Sequence, residues 1–202
     1  MKKKTEMDIV LLLDRSGSMK GVESDTIGGY NSFLENNNYE YAKVTTILFD
    51  NQYEIVTNRK NMKDVLPLDS STYFVRGTTA LYDAIGTAIT ELDKQNPKMV
   101  LFVITTDGLE NASKMYNKEQ IKELIKAHSN WTFMYIGADI DSYTEGTSIG
   151  IQEKNIANYQ KSKEGVRKLF KTLEKTSKVF YEENAISEDW KKDLEQEKKI
   201  IG

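Results

Sequence analysis

Apolar residues follow two rhythms along this chain. Three stretches are apolar almost without a break: Met7–Leu13, ending in DIVLLL; Lys98–Thr106, KMVLFVITT; and Trp131–Ile136, WTFMYI. Unbroken runs of this length read as strands buried on both faces, the mark of a parallel sheet covered by helices. Between them the apolar positions recur at helical spacing. Ile27, Tyr30 and Leu34 predict a helix over Ser24–Asn37, weakened by Gly28-Gly29. Leu81, Ile85, Ala88, Ile89 and Leu92 share one face of a helix over Thr79–Gln95, with Pro97 beyond its end. Lys118–His128 is amphipathic, and Val166, Leu169, Phe170, Leu173 and Val179 form a stripe on a helix over Ser162–Phe180.

The remaining elements are shorter. KVTTILFD (43–50) is a β-branched strand, and QYEIVT (52–57) follows the Asp50-Asn51 turn, so the pair predicts an antiparallel hairpin. Residues 58–77 read as irregular around Pro67, Asp141–Ile149 as a short helix and Asn155–Tyr159 as an edge strand. From Tyr181 onward charge dominates, with only Ile186, Trp190, Leu194 and Ile200-Ile201 as apolar points. The expectation is an α/β domain over residues 1–180: a doubly wound, mostly parallel sheet with one antiparallel edge hairpin strand and helices on both faces. Residues 181–202 are expected to form a charged tail, marginally helical or mobile.

Composition narrows the function. With 39% hydrophobic and 29% charged residues over 202 positions, the chain fits a folded globular domain. A net charge of −3 leaves no basic footprint for nucleic acid. Cysteine is absent, and His128 is the single histidine, so thiolate and multi-histidine zinc sites are excluded. The opening MKKKTEMDIVLLLDRSGS has a basic start and an apolar run. That run is short, is preceded by Glu6 and Asp8, and ends in Asp14-Arg15 without a small-residue cleavage site. No stretch approaches the roughly 20 apolar residues of a bilayer span. The expected setting is the cytoplasm, with no membrane and no nucleic-acid partner; the oligomeric state is left open.

Candidate chemistry gathers where apolar runs end, the edge at which open α/β sheets bind ligands. Asp14, Ser16 and Ser18 occupy every second position after the first run, and Gly17 lets the chain bend. Gly77-Thr78-Thr79-Ala80 leads into a helix, and Thr105-Thr106-Asp107-Gly108 closes another buried strand. Carboxyl ends of parallel strands lie together, so Asp14 and Asp107 become neighbours if their strands are adjacent. Two close carboxylates repel, and a divalent cation removes that repulsion. Hard oxygen donors with little negative charge suit Mg²⁺ or Mn²⁺; Ca²⁺ fits less well, and zinc prefers Cys or His. Taken singly, each of these residues has an ordinary role as a helix cap or turn former. Taken jointly on one sheet edge, they point to a metal.

The DxSxS motif of Asp14, Ser16 and Ser18, the RGTTALYDAI segment (76–85) and the VITTDGLEN segment (103–111) resemble the metal-ion-dependent adhesion site of the von Willebrand factor type A (vWA) family, bacterial type, from about residue 7 to residue 160. The resemblance implies a non-enzymatic module that binds a protein partner through the cation, with a carboxylate of the partner completing its coordination. It implies that Ser16, Ser18 and Thr79 ligate directly, and that Asp14 and Asp107 act directly or through water. Matching Ala80-Leu81 to the start of the helix favours Thr79 over Thr78.

Competing readings are weaker. A Mg²⁺-dependent phosphohydrolase of the haloacid dehalogenase type also has an Asp after its first strand. The second Asp it needs as general acid two residues on is Ser16 here, and Asp139 and Asp141 only loosely imitate its later acidic pair. A dinucleotide-binding domain would need a G-x-G-x-x-G that is missing after the first strand. A scaffold with a vestigial metal site is the remaining alternative. Tyr82 and Asp83 are expected to be packing and solvent residues, and Glu110 and Asn111 to line the rim. Asp139 and Asp141 are expected in a turn or cap, and His128 as a helix C-cap.

Overall fold

The apolar runs become the middle of a six-stranded sheet in the computed structural model, which describes residues 5–195. The strands are β1 (Met7–Asp14), β2 (Ala42–Phe49), β3 (Tyr53–Asn61), β4 (Met99–Thr106), β5 (Thr132–Ala138) and β6 (Ile156–Tyr159), in the order β3-β2-β1-β4-β5-β6. Every pairing is parallel except β2 with β3. Every residue of β1 and β4 is buried. The alternation of side chains across a strand gives the reason. Ile9, Leu11 and Leu13 enter the core on one face, while Val10 and Leu12 enter it on the other.

Helices α1 (Glu23–Asn36) and α5 (Lys163–Glu183) cover the first face. Tyr30 and Phe33 of α1 join Val166, Leu169, Phe170 and Leu173 of α5 there. Helices α2 (Leu81–Asp93) and α3 (Lys118–Ala127) cover the second, with Leu81, Ile85, Ile89, Ile121 and Ile125. The short helix α4 (Ser142–Ser148) precedes β6. The expected doubly wound sheet with one antiparallel edge is therefore the observed fold.

Three boundaries differ from those the sequence predicts. The edge strand β3 runs four residues past Thr57, through the polar stretch Asn58–Asn61. Apolar alternation cannot reveal such a segment; ladder hydrogen bonds and ion pairs hold it. Arg59 Nε lies 2.7 Å from Asp8 Oδ1, and Arg59 Nη2 lies 3.0 Å from Glu6 Oε1. Helix α5 continues to Glu183, where Asn184 takes a left-handed conformation and closes it. Tyr181, in that last turn, stacks on Tyr39 with ring centroids 4.7 Å apart. Beyond it, sparse apolar points bring the charged chain back to the sheet. Trp190 and Leu194 are buried in the first core face, Trp190 Nε1 donates to the Lys154 carbonyl at 2.8 Å, and α6 spans Lys192–Glu195. Residues 1–4 and 196–202, with Ile200-Ile201, lie outside the described residues.

The glycine pair that weakens α1 as an isolated helix is explained by packing. A Cβ on Gly29 would lie 2.2 Å from Phe170 Cδ2, so α5 seats its ring directly on the α1 backbone. Gly28 has open space at the same test. Gly29→Ala should therefore lower stability by about 1–3 kcal/mol in urea denaturation. Gly28→Ala should be neutral or stabilising by up to about 1 kcal/mol. Equal effects at the two positions would contradict this packing.

Candidate metal centre

The chain builds outward from β1 in both directions, so the β1–β4 junction is the switch point of the sheet. Leu13 pairs with Thr105, which places Asp14, the last residue of β1, beside the end of β4 and Asp107. The two strands are adjacent, as the metal reading requires.

Asp14 is held from both sides. Its Oδ1 accepts the Ser16 N–H at 2.6 Å and its Oδ2 accepts the Thr106 hydroxyl at 2.6 Å. Ser16 stands at the N-cap of a one-turn 3₁₀ helix, Gly17–Met19, yet its side chain makes no capping bond. Its Oγ lies 2.9 Å from Ser18 Oγ, and the Ser18 hydroxyl donates to Asp107 Oδ1 at 2.5 Å. The ordinary cap role therefore fails for Ser16, and its hydroxyl is turned to the cluster.

Thr79 reaches the same point from a third segment. The N-cap of α2 is Ala80, so Thr79 does not cap that helix. Thr79 is buried and Thr78 is exposed. A Cβ placed on Gly108 would lie 2.8 Å from Thr79 Oγ1 and 3.3 Å from Ser18 Oγ. Three segments thus surround Gly108, and a side chain there would intrude among the hydroxyls. Asp14, Ser16, Ser18, Thr79 and Asp107 are all brought together, whereas Thr78 is not.

Several residues that position this cluster carry no signal in the sequence motif. Arg15 is completely buried between the strand end and the serines. Its Nε pairs with the fully buried Asp50 Oδ2 at 3.0 Å, and its Nη2 with Glu54 Oε2 at 2.7 Å. Arg76 Nε shares the same Asp50 oxygen at 2.8 Å. Both guanidinium groups lie against the Phe74 ring, at 5.5 and 5.3 Å from its centroid. This network ties the threonine loop to the ends of β1 and β2. Gly77, with φ +66°, turns that loop, and its carbonyl accepts the Gly17 N–H at 3.1 Å.

The loop after β4 is fixed by side chains expected to line the rim or face solvent. Asn111 Oδ1 accepts the Thr79 N–H at 2.9 Å, and Asn111 N donates to the Thr79 carbonyl at 3.0 Å. Glu110 accepts backbone N–H groups of Tyr82, Ala112 and Ser113. Asp83 is not a simple solvent residue, because it accepts the N–H groups of Lys114, Met115 and Tyr116 at 2.8 to 2.9 Å. Asp141 caps α4, accepting from Thr144 N at 3.1 Å, and Asp139 is exposed with φ +55°. His128 is the C-cap of α3, with Nδ1 2.8 Å from the Leu124 carbonyl.

The electrostatics match a corner short of positive charge. Burial pushes the Asp14 carboxyl up to about 6; hydrogen bonds from Ser16 and Thr106 oppose the rise, and the nearby Asp107 charge adds to it. Asp107 Oδ2 is buried and accepts no hydrogen bond; the Lys161 ammonium stands 3.1 Å away as an ion pair. A buried carboxylate oxygen without a hydrogen bond, among three hydroxyls and a second carboxylate, fits a hard divalent cation. Among the described residues no group of three or more His, Cys, Asp or Glu side chains forms. No helix among these residues is long and apolar enough to cross a membrane.

The strand order and the single antiparallel edge are those of the vWA fold. Solved structures of vWA domains share it. The mussel byssus proximal thread matrix protein 1, in a form with a zinc-occupied metal-ion-dependent adhesion site, superposes with a TM-score of 0.63 at 16% identity, covering 86% of this chain and 46% of that one. The manganese-loaded TRAP protein of Plasmodium vivax gives 0.59 at 17% identity over 83% of this chain and 74% of that one. The vWF domain of the pilus tip protein Mfa5 from Porphyromonas gingivalis gives 0.64 at 9% identity over 92% and 99%. The chain spans a little under half the length of the mussel protein. No protein-family model and no curated protein matches the sequence.

Asp14 binds its proton more readily folded, at about 6, than unfolded, near 3.9. Between these values the folded state holds more protons, so its contribution to stability falls as pH rises from about 4 to about 6. Asparagine fits the same position. Its Oδ1 keeps the Ser16 N–H, its amide can donate to Thr106 Oγ1, and the Thr106 hydroxyl can turn to the Gly108 carbonyl at 3.1 Å. In EDTA at pH 7.5, Asp14→Asn should be more stable than wild type by about 1–3 kcal/mol, and the gain should vanish near pH 4. Urea denaturation at both pH values measures it; a loss of stability at pH 7.5 would refute the assignment of strain to Asp14.

Proposed function

We propose that this chain is a protein-binding module that works through a divalent cation. The observation that carries the reading is the meeting of Asp14, Ser16, Ser18, Thr79 and Asp107, from three distant segments, around the end of β1. The Ser18 hydroxyl to Asp107 contact at 2.5 Å, across 89 residues of sequence, is its tightest link. Ser16, Ser18 and Thr79 would hold the ion through hydroxyls, and Asp14 and Asp107 through carboxylates or intervening water. The donor set favours Mg²⁺ or Mn²⁺, with Ca²⁺ less suited. When bound, an ion with so few anionic ligands supplies an electrophilic point for a carboxylate of a partner protein.

Binding rather than turnover is the reading because no general acid stands two residues beyond Asp14, where Ser16 turns its hydroxyl to Ser18. Asp141 is committed to capping α4. The metal-loaded mussel and Plasmodium proteins support a divalent ion in a fold of this kind. The cytoplasmic setting is part of the same proposal.

Calorimetric titration with Mg²⁺ and Mn²⁺ tests the metal. Wild type should bind with measurable heat, and Asp14→Ala and Ser18→Ala should each bind at least about tenfold more weakly. Equal heats for wild type and Asp14→Ala would overturn the reading. The carboxylate partner is tested by affinity capture with and without EDTA. A partner retained equally in EDTA does not use the ion.

A further inference from the structure

A protein cation already sits against these donors. Lys161 lies in the turn between β6 and α5. Its ammonium is 3.1 Å from Asp107 Oδ2 and donates a hydrogen bond to the Ser18 carbonyl. Both contacts fall on residues assigned to the metal. The pair is poorly reached by solvent, with side-chain exposures of 24% for Lys161 and 1% for Asp107. Bulk salt therefore screens it weakly. Since Asp107 Oδ2 accepts no hydrogen bond, the ammonium is its compensation.

The turn that carries Lys161 has little room to give. Ser162 is the N-cap of α5, accepting the Gly165 N–H at 3.0 Å, and its own N–H donates to the Gln160 carbonyl at 2.8 Å. A Cβ on Gly165 would lie 1.9 Å from the Gln160 carbonyl oxygen, so α5 begins pressed against this turn. The backbone that carries Lys161 is therefore held in place.

The charges add up simply. Two carboxylates and one ammonium leave a single negative charge at the site, and a dication turns that into a single positive one. Without the ammonium, the dication and the two carboxylates balance.

We propose that Lys161 is a tethered counter-cation that competes with the metal for Asp107 and thereby sets the metal affinity of the site. This rests on the metal-binding reading above. It assigns Lys161 a task that none of the five ligand positions performs. The lysine keeps the metal-free corner compensated, and it makes the metal-loaded corner positive and receptive to an anion.

Calorimetric titration of Mn²⁺ into wild type, Lys161→Met and Lys161→Arg tests it. Lys161→Met should bind Mn²⁺ roughly tenfold more tightly than wild type, and Lys161→Arg, which keeps the charge, within about threefold of it. If wild type binds Mn²⁺ and Lys161→Met binds it equally or more weakly, the competition is wrong and the metal reading survives. If neither wild type nor Lys161→Met binds Mn²⁺, both the metal reading and this inference fall.

Discussion

Parallel pairing of β1 with β4 forces two carboxylates into one buried corner, and much of the surrounding structure answers that constraint. Asp14 and Asp107 follow strands whose register is set by apolar side chains on both faces, so neither can retreat without disturbing the core. Like charges in a buried corner repel, and burial pushes the Asp14 carboxyl up. The fold compensates mainly with neutral donors: the Ser16 N–H and Thr106 hydroxyl on Asp14, and the Ser18 hydroxyl on Asp107. Neutral donors stabilise a carboxylate without cancelling its charge. A single ammonium, from Lys161, is the formal counter-charge that contacts Asp107.

A second buried charge group, just behind, serves placement. Arg15 and Asp50 are completely buried, and Arg76 joins them from the threonine loop. Buried ion pairs contribute little net stability, because desolvation offsets their attraction. Losing one partner is nevertheless severe, since the other charge is left uncompensated. Such a network suits fixing three segments relative to one another. It joins the end of β1, the end of β2 and the loop that delivers Thr79, and backbone bonds run alongside it. Arg15 N–H donates to the Phe49 carbonyl at 2.8 Å, Arg76 N–H to the Arg15 carbonyl at 2.9 Å, and Ala80 N–H to the Asp50 carbonyl at 2.8 Å. Thr79 is thus positioned largely by main chain, which gives its hydroxyl a fixed approach.

What could be read from the sequence follows from which forces leave a periodic trace. Burial on both faces makes β1, β4 and β5 unmistakable, and the amphipathic stripes of α2, α3 and α5 are equally direct. The three segments that meet were legible because strand ends and a loop-to-helix junction mark where a switch point gathers polar groups, while the choice of Thr79 over Thr78 came from the resemblance to the vWA family. Polar strand residues such as Asn58–Asn61 leave no such trace, since their partners are backbone groups and the distant Asp8 and Glu6. Arg15 falls on an unspecified position of the DxSxS motif. An arginine at the end of an apolar run, immediately before two serines, is the only hint that it is buried. Asp83 and Lys161 were illegible for another reason. Each acts on a segment far away in sequence, Asp83 on the loop at 114–116 and Lys161 on Ser18 and Asp107, so no local spacing encodes them.

The low anionic count of the cluster is itself a consequence of where it lies. An exposed loop can gather many carboxylates around a cation, because water shares the work of separating their charges when the cation leaves. At Asp14 and Asp107, both buried and with Tyr73 donating to the Asp14 carbonyl from beneath, solvent shares little of that work. There each added carboxylate would need its own buried counter-charge, and Asp14 is already pushed up to about 6 with only one like neighbour. Hydroxyls suit the remaining positions because they can bond to one another as well as to an ion, and Ser16 and Ser18 lie within hydrogen-bond distance. The same hydroxyls leave a bound dication under-neutralised. On the reading proposed here, the affinity for a partner's carboxylate follows from the impossibility of burying a third one of its own.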